Sequence, residues 1–474
     1  MSADAGNRSD RRVPSRREFL GTTGAALGGL CLASLVQACG TGSTAPSGAS
    51  TQFKNVAPEA LAANLVFLAG NYKPPVVEGY LRRFKETYPK VQVDYQVVSG
   101  GVLHDKEVAI LNGGGAVPNL FYVGDDWFRS FIDAKYIQPI DGFPGADQYL
   151  KDFTPATKQA LTWKGKLYGL PYYSSIYCFS YFAPLLQQAG ITHPPVNLSE
   201  LKDQCLEIKR AGLSDYPLML PFILNAGTGD FAFWSMLYSS GAEMFDKDFN
   251  PVFHKSGSAA EQIVAWFVDA MNTWKILQPS ALQTINDDVI KSIAPGKVAF
   301  APLNDLYLKQ ANIGPTATRP GAVKMAPFPG LTPTSHGTVG WTRSYSIPSK
   351  ATDIEASWAL LQYVGGQPAA GPDKGQYYAA RSWFLSDGLG YGFAPLAKDP
   401  AVVADLGKWV DTAIFEREKA AAKARQNILT PWYFAWTTFF QQKVQEALGK
   451  QITATQVMQQ LKTKTDELRK QFGD

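Results

Sequence analysis

The sequence predicts an α/β protein built from two lobes, and three observations lead to this prediction. The chain has 474 residues, whereas a single hydrophobic core rarely grows beyond about 250–300 residues. After residue 60, segments follow in the order strand, helix, strand, helix, strand, which indicates a mostly parallel sheet covered by helices. An apolar, aromatic run over residues 176–182 then leads into a second series of helices and strands, which we expect to form the other lobe.

Residues 1–38 have the features of an export signal. Arg16 and Arg17 lie in the segment SRREFL, which resembles a twin-arginine signal, and a run rich in small residues follows over 21–38. That run is weakly hydrophobic and contains several glycines, so it would make a poor membrane-spanning helix. We therefore predict an exported protein. The alternative is an N-terminal membrane anchor or a chance basic leader.

Cys39 is the predicted site of lipidation. It follows Val-Gln-Ala in a segment that resembles a lipobox, and lipidation would make it the N-terminal residue of the mature protein. Residues 40–50 are glycine, serine, threonine, alanine and proline, a composition typical of flexible linkers. We expect residues 39–59 to tether a soluble body to the outer face of the cell membrane or within the periplasm.

The first lobe is predicted to begin with residues 60–172. Alternating and apolar runs indicate strands, and 3.6-residue spacing indicates helices. The strands fall at 64–68, 91–97 and 119–123, and the helices at 76–88 and 103–112. Ligands of such sheets bind beyond the carboxyl ends of the strands, so the segment 124–127 is a candidate binding loop.

Residues 173–330 are predicted to form most of the second lobe, and residues 331–474 to return and complete both lobes. The second lobe has predicted helices at 198–211, 231–239, 259–275 and 287–294, a strand at 297–301 and a return near 324–328. In the last part, a strand at 341–347 and a helix at 354–364 precede a mostly helical C-terminus.

Composition and missing motifs argue against several classes of function. The net charge is only +4, which does not favour a nucleic-acid-binding protein, because such proteins need a basic face. The four histidines form no H-x-x-x-H or H-x-H pair, and the G-x-S-x-G and G-x-x-x-x-G-K-[S/T] motifs are missing from the sequence. We therefore expect no metal, no cofactor, and neither a hydrolase elbow nor an ATPase loop. Cys178 and Cys205 could pair in an oxidising compartment or remain as buried thiols.

An ordered set of segments resembles the carbohydrate-type bacterial extracellular solute-binding proteins. The segments are FKETYP at 84–89, GGGAVPNLFYV at 113–123, GKLYGLPY at 165–172, GKVAF at 296–300 and AARS at 379–382. The resemblance implies a two-lobed periplasmic-binding-protein-like fold, whose cleft between the lobes closes on a small solute. It also implies a mono- or oligosaccharide as that solute and the permease subunits of an ABC importer as partners. We expect a monomer that does not act as an enzyme.

Eleven residues are candidates for contact with the solute. Aromatic rings can stack on a sugar, and carboxylates can accept hydrogen bonds from its hydroxyls. The candidates are Asp125, Asp126, Trp127, Tyr172, Tyr173, Asn304, Asp305, Trp341, Arg343, Arg381 and Trp383. Trp341 is the predicted stacking platform, because it follows Gly340 and shares a strand face with Arg343.

Each of these candidates also has a structural interpretation. The Asp and Asn side chains could cap helices, and the aromatic rings could belong to the core. Arg381 could form a structural ion pair. The residue types alone do not decide between these roles.

Two other functions stay open at this point. A secreted glycoside hydrolase or lyase would need two carboxylates about 5–10 Å apart across the scissile bond, which the adjacent Asp125 and Asp126 do not naturally provide. An anchored interaction protein would lack a closed cleft and would not be stabilised by a small ligand. Turnover of an oligosaccharide distinguishes the enzyme from the binding protein.

Overall fold

The computed structural model describes residues 53–224, 229–315 and 317–473. The predicted export signal with Arg16 and Arg17, the lipidation site Cys39 and most of the tether lie outside the described residues. Within the described part of the chain, no helix is both long enough and apolar enough to cross a membrane.

The first five elements alternate as the sequence predicts. They are β1 (Ala63–Gly70), α1 (Pro74–Thr87), β2 (Val91–Val98), α2 (Gly100–Asn112) and β3 (Leu120–Gly124). Helix α1 begins at Pro74, which suits the first helical position because its missing N–H needs no partner there. Its buried face is formed by Val77, Tyr80 and Phe84 at helical spacing. Strand β1 pairs in parallel with both β2 and β3.

Short elements connect this unit to a long crossing strand. They are α3 (Phe128–Asp133), α4 (Ala146–Asp152), α5 (Pro155–Leu161), β4 (Thr162–Trp163) and β5 (Lys166–Leu167). Lys164 and Gly165 join β4 to β5 with φ values of 49° and 77°, the left-handed pair that a tight hairpin turn requires. Strand β6 (Leu170–Phe182) follows and includes the predicted crossing run.

The part of the chain after β6 contains the predicted helices of the second lobe. Its elements are α6 (Ala183–Gln188), α7 (Leu198–Arg210), α8 (Phe231–Ser239), α9 (Ala259–Asn272), α10 (Asn286–Ile293), β7 (Phe300–Asn304), α11 (Asp305–Ile313) and β8 (Val323–Ala326). Strand β7 begins three residues later than the predicted strand at 297–301. The reason is local: the Lys297 amide donates to the Ser292 carbonyl over 2.9 Å, so this residue still belongs to the turn that follows α10.

The last part of the chain is one strand followed by helices. The elements are β9 (Gly340–Ser346), α12 (Ile354–Gly365), α13 (Tyr378–Asp387), α14 (Pro400–Leu406), α15 (Thr412–Ala421), α16 (Tyr433–Leu448) and α17 (Ala454–Phe472). Helix α17 starts with a reciprocal cap, in which the Thr453 hydroxyl accepts from the Gln456 amide and the Gln456 side chain accepts from the Thr453 amide.

Strand β6 holds the two halves of the molecule together. Among the described residues, seven strands form one sheet in the order β2-β1-β3-β9-β6-β7, and β8 also pairs with β6. The N-terminal half of β6 pairs with β9, and its C-terminal half pairs with β7 and β8. We call the part around β1–β3, β9 and the first half of β6 the first lobe. The part around β7, β8 and the second half of β6 is the second lobe.

The expectation of a mostly parallel sheet is right only for β1, β2 and β3. Strand β9 runs antiparallel to β3 and β6, and β6 runs antiparallel to β7 and β8. Strand-helix-strand order produces parallel neighbours only while the chain stays in one lobe. Strand β9 instead enters the first lobe on its return from the second, and therefore runs against its neighbours.

Helices pack on both lobes and close their cores. Helix α12 packs on β1, β3 and β9, whereas α8 packs on β6 and α9, and α16 and α17 pack together against α9. Every residue of α8 is buried, which explains why its sequence is apolar or aromatic except for Ser235 and Ser239. Cys178 and Cys205 are both buried and unpaired, and burial raises the pKa of each thiol.

Candidate functional site

Asp125 is the centre of a buried charge cluster at the carboxyl end of β3. Its side chain is fully buried, and one carboxylate oxygen accepts from the Thr342 amide over 2.9 Å. The other oxygen accepts from Arg343 Nη1 over 2.6 Å and from Arg425 Nη2 over 3.2 Å. Burial raises the pKa of Asp125, while the two guanidinium groups act in the opposite direction.

Strand register brings Arg343 to this position. Gly124 lies opposite Arg343 in the β3–β9 pair, so the residue after β3 meets the guanidinium directly. Arg343 also donates to Asp126 over 3.3 Å, and its side chain keeps 16% of its surface exposed. Three candidate residues, Asp125, Asp126 and Arg343, therefore lie together, although Arg343 is about 220 positions from the two acids along the chain. Their contact with a solute stays a prediction.

Arg425 comes from the loop between α15 and α16, which the sequence analysis did not identify. We call residues 422–432 the connecting loop. Its Ala424 amide donates to Gln159 of the first lobe, and its Leu429 carbonyl accepts from Arg129 of the first lobe, over 3.1 and 2.7 Å. Its Gln426 side chain accepts from the Met244 and Phe245 amides of the second lobe, over 3.0 and 2.9 Å. The loop therefore connects the two lobes beside Asp125.

The Arg425 side chain is buried between the lobes. Its guanidinium lies over the rings of Phe231 and Tyr433, at 4.9 and 5.2 Å from the ring centroids. In sequence, Arg425 belongs to a segment with several lysines and arginines, a composition typical of a solvated surface. Only the tertiary contact with Asp125 shows its role.

Asp230 supplies a carboxylate from the second lobe. It immediately precedes α8, and one of its oxygens accepts from Trp234 Nε1 and from the Thr437 hydroxyl, each over 3.0 Å. Burial raises its pKa, and the positive charge of Arg425 acts against this shift. The other oxygen, Oδ1, is buried and has no hydrogen-bond partner in the part of the chain that the structure describes.

Aromatic side chains surround the cluster. The Trp127 ring stacks on His104 with centroids 4.9 Å apart, and Tyr122 meets Trp127 edge-on at 5.7 Å. Tyr172 stacks on Tyr345 at 5.0 Å and meets Tyr173 edge-on at 4.7 Å. Of these rings, those of Tyr122, Trp127 and Tyr173 are half-buried, so each keeps some surface that a ligand could cover.

Trp341 and Trp383 are more enclosed than the other predicted aromatic residues. Trp341 is 4% exposed and packs against Phe231, with centroids 4.8 Å apart. Trp383 is 1% exposed and packs against Tyr80 and Tyr172. Their participation in binding remains a prediction, since almost none of either side chain faces solvent in this structure.

Asn304 and Asp305 take structural partners at the end of β7. The Asn304 side chain accepts from the Tyr307 amide over 2.8 Å and so caps α11. Asp305 is fully buried, accepts from the Ile176 amide over 2.9 Å and lies 3.8 Å from Lys419 Nζ. These contacts attach α11 to the crossing strand.

Arg381 forms an ion pair with Asp399 and does not take part in the charge cluster around Asp125. It donates to Asp399 over 2.9 Å, and Asp399 caps α14. Its side chain is 40% exposed. Within the ranges that the structure describes, no group of three or more His, Cys, Asp or Glu side chains is placed to hold a metal ion.

The sequence matches the family model of the bacterial extracellular solute-binding proteins over residues 47–371. A Brucella abortus protein that carries the name of a binding protein is 24% identical over 292 residues, which cover 61% of this chain and 68% of that one. The mannitol-binding protein of Pseudomonas aeruginosa is 23% identical over 308 residues, 65% of each chain.

The fold is similar to that of solved two-lobed binding proteins. The maltose-bound T. maritima MalE3 superposes with a TM-score of 0.72 at 18% identity, covering 86% of this chain and all of that one. A solute-binding protein of Agrobacterium vitis with bound D-mannitol has a TM-score of 0.67 at 17% identity, covering 86% and 98%. At these identities the superpositions establish the fold and leave the ligand open.

Proposed function

Because the chain belongs to the family of bacterial extracellular solute-binding proteins, we propose that it captures a small solute, a mono- or oligosaccharide or a related polyol, for an ABC importer. The solute would bind between the lobes and be delivered to permease subunits in the membrane. The observation that supports this most directly is the position of Asp125, at a strand end where both lobes and the connecting loop meet beneath half-buried aromatic rings.

The chemistry of this position suits a hydroxylated ligand. Carboxylates such as Asp126 accept hydrogen bonds from hydroxyls, and they do so more strongly than neutral acceptors. The faces of Trp127, Tyr122 and Tyr173 can cover the C–H surfaces of a sugar ring. A micromolar Kd corresponds to about −8 kcal/mol, which several such short contacts together can supply.

Closure of the lobes would complete the site. The connecting loop and β6 join the lobes, and a ligand held from both sides would favour the closed arrangement over the open one. The importer could then recognise the loaded form. We further propose that Cys39 anchors the monomeric protein by lipid at the outer face of the membrane, and that ligands are released without chemical change.

A thermal-shift screen tests the proposal. The mature protein is melted with mono-, di- and oligosaccharides and polyols, and a ligand at 100 times its Kd should add about 2.7 kcal/mol to the free energy of unfolding. Chromatography of the recovered ligand should show it unchanged. If no saccharide or polyol raises the melting temperature, or if the ligand returns cleaved, the proposal is wrong.

A further inference from the structure

Carboxylates outnumber cations in the charge cluster. Asp125, Asp126 and Asp230 face Arg343 and Arg425, as their contacts and mutual electrostatic interactions show. Guanidinium groups stay charged in proteins, so the cluster has one carboxyl group more than it has cations to pair with, and a bound cation would stabilise the ionised form of that group.

The cationic side chains around the cluster are already used. Arg343 and Arg425 both donate to Asp125, and Arg129 donates to Asp133 and to the Leu429 carbonyl. Further out, Lys73 pairs with Asp387, and Lys419 with Asp305. His104 stacks on Trp127 and contacts Asp105. An incoming anion would therefore compete with carboxylates for each of these groups.

Unsatisfied polar atoms lie close to Arg425. Among the described residues, Asp230 Oδ1 is buried with no hydrogen-bond partner, and the side-chain amide of Asn427, two residues after Arg425 on the connecting loop, is fully buried with both its oxygen and its nitrogen unpartnered. An unpaired buried polar group destabilises the folded protein, because it has lost its hydrogen bonds to water. A ligand that supplied a hydrogen-bond donor to Asp230 would remove this cost at the charge cluster.

We propose that the cleft selects a saccharide or polyol that carries a positively charged amine, which would lie against Asp126 and Asp230 and pair with the surplus carboxyl group. This inference rests on the proposed function and narrows its ligand class. A neutral analogue with a hydroxyl in place of the amine can still donate hydrogen bonds, but it leaves that carboxyl group without a cation. A carboxylate at the same position adds repulsion.

Calorimetric titration with matched sets of ligands tests this. Each set has a neutral, an aminated and an acidic member: D-mannitol, 1-amino-1-deoxy-D-mannitol and D-mannonate; D-glucose, D-glucosamine and D-glucuronate; maltose, 1-amino-1-deoxymaltitol and maltobionate. Titrations use the mature protein at about pH 6.5, where amines are protonated and carboxylates ionised. In a set that binds, we expect the aminated member to bind about tenfold more tightly than the neutral one, and the acidic member about tenfold more weakly.

Asp126→Asn locates the effect. Asp126 is partly exposed, so this nearly isosteric change should leave the melting temperature of the free protein unchanged. It should reduce the advantage of the amine to less than about threefold, because one of the two acids that face the amine loses its charge. Asp147→Asn on α4 removes the charge of an exposed acid that pairs with Lys151, and this variant should still bind the aminated ligand about tenfold more tightly than the neutral one.

The outcomes separate this inference from the proposed function. If neutral members bind and the aminated ones bind no more tightly, the inference is wrong and the proposed function stands. An amine preference that persists unchanged in Asp126→Asn would also overturn it. If no member of any set binds and the thermal-shift screen finds no saccharide or polyol ligand, both the inference and the proposed function fail.

Discussion

At the scale of single residues, two buried carboxyl groups of the first lobe differ in their surroundings: one faces cations and the other does not. Asp125 has two guanidinium groups within hydrogen-bond distance. Glu107 on α2 is 1% exposed, and neither of its carboxyl oxygens has a hydrogen-bond partner. Burial alone raises the pKa of Glu107 to about 9, so this side chain is neutral at pH 7 in the folded protein.

Glu107 should make the protein less stable as the pH rises. The pKa of Glu107 is about 9 in the folded chain and near its ordinary value of 4.5 in the unfolded chain. Between these values only the folded state holds the proton, so the free energy of unfolding falls by about 1.4 kcal/mol per pH unit. Glu107→Gln removes this loss. Urea unfolding should show the variant to be more stable than the parent at about pH 8, with the difference shrinking towards about pH 5.

The control for Glu107 is a carboxyl group that stays in solvent. Glu86 is exposed on α1. In Glu86→Gln, the free energy of unfolding should therefore change between the two pH values by as much as it does in the parent. A Glu107→Gln protein with the parent's full pH dependence would contradict the assigned pKa.

Two tryptophans should respond differently to truncation. Trp341 is buried against Phe231, so Trp341→Ala should lower the free energy of unfolding by about 3–5 kcal/mol. Trp127 is half-buried, and its indole N–H has no partner. Trp127→Ala should cost less stability and weaken ligand binding more, by about 2 kcal/mol or more if the ring is a central contact. Urea unfolding measures the stability of each variant, and calorimetric titration with a ligand from the screen measures its affinity.

The tryptophan comparison can come out the other way. If Trp341→Ala keeps most of its stability and loses affinity, Trp341 is the stacking platform that its position after Gly340 first indicated. Trp127 would then be a supporting residue of the α2 and α3 packing.

At the scale of elements, a helix cap tests the role of Asn304. The Asn304 side chain accepts from the Tyr307 amide at the start of α11, and losing such a cap costs about 1 kcal/mol. Asn304→Ala should show this loss in urea unfolding and bind ligand as the parent does. Asn304→Asp keeps an acceptor and should keep most of the stability. Weakened binding in both variants, at unchanged stability, would instead place Asn304 in the ligand site.

The connecting loop depends on a buried ion pair. Arg425→Ala leaves Asp125 with one guanidinium fewer in a fully buried position, and breaking a buried pair from one side costs about 3–5 kcal/mol. Urea unfolding should show a loss of this size. Arg210→Ala at the end of α7, whose exposed side chain pairs with the exposed Glu207, should change stability by less than about 1 kcal/mol. Equal effects of the two changes would mean that Arg425 does not hold the loop in place.

For the whole molecule, export and anchoring are the properties to test. Replacing Arg16 and Arg17 with lysine should keep the protein in the cytoplasm if the twin-arginine signal is read. Cys39→Ala should move it from the membrane to the soluble fraction, because acyl chains hold a protein by about 0.8 kcal/mol per buried CH₂. Fractionation and labelling with a fatty-acid analogue measure both effects. Cys31→Ala is the control and should still be labelled, whereas labelling of Cys39→Ala would disprove the anchor.

Ligand-induced closure is the second property of the whole molecule. Small-angle scattering of the mature protein should give a smaller radius of gyration with a ligand than without one, since closure brings the lobes together around β6. A protein whose scattering curve is the same in both states would bind without closure.

Local order along the chain could be predicted from the sequence. Strands β1 to β3 and helices α1, α7, α8 and α12 lie within a few residues of their predicted bounds, because spacing of apolar residues and local stop signals act over a few positions. The position of the loop after β3 at the carboxyl edge of the sheet could be predicted in the same way, since the ends of parallel strands share one edge, and its role in binding stays a prediction.

Contacts between distant segments were decided by the tertiary structure. No local sequence pattern predicts that β9 runs antiparallel to β3. Nor does one predict that Arg425 pairs with Asp125, or that Asp230 lies near Arg425. A charged side chain has the same intrinsic properties in a solvated loop as in a buried cluster. Its desolvation and its partners depend on which segments meet when the lobes pack, and those segments lie hundreds of residues apart along the chain.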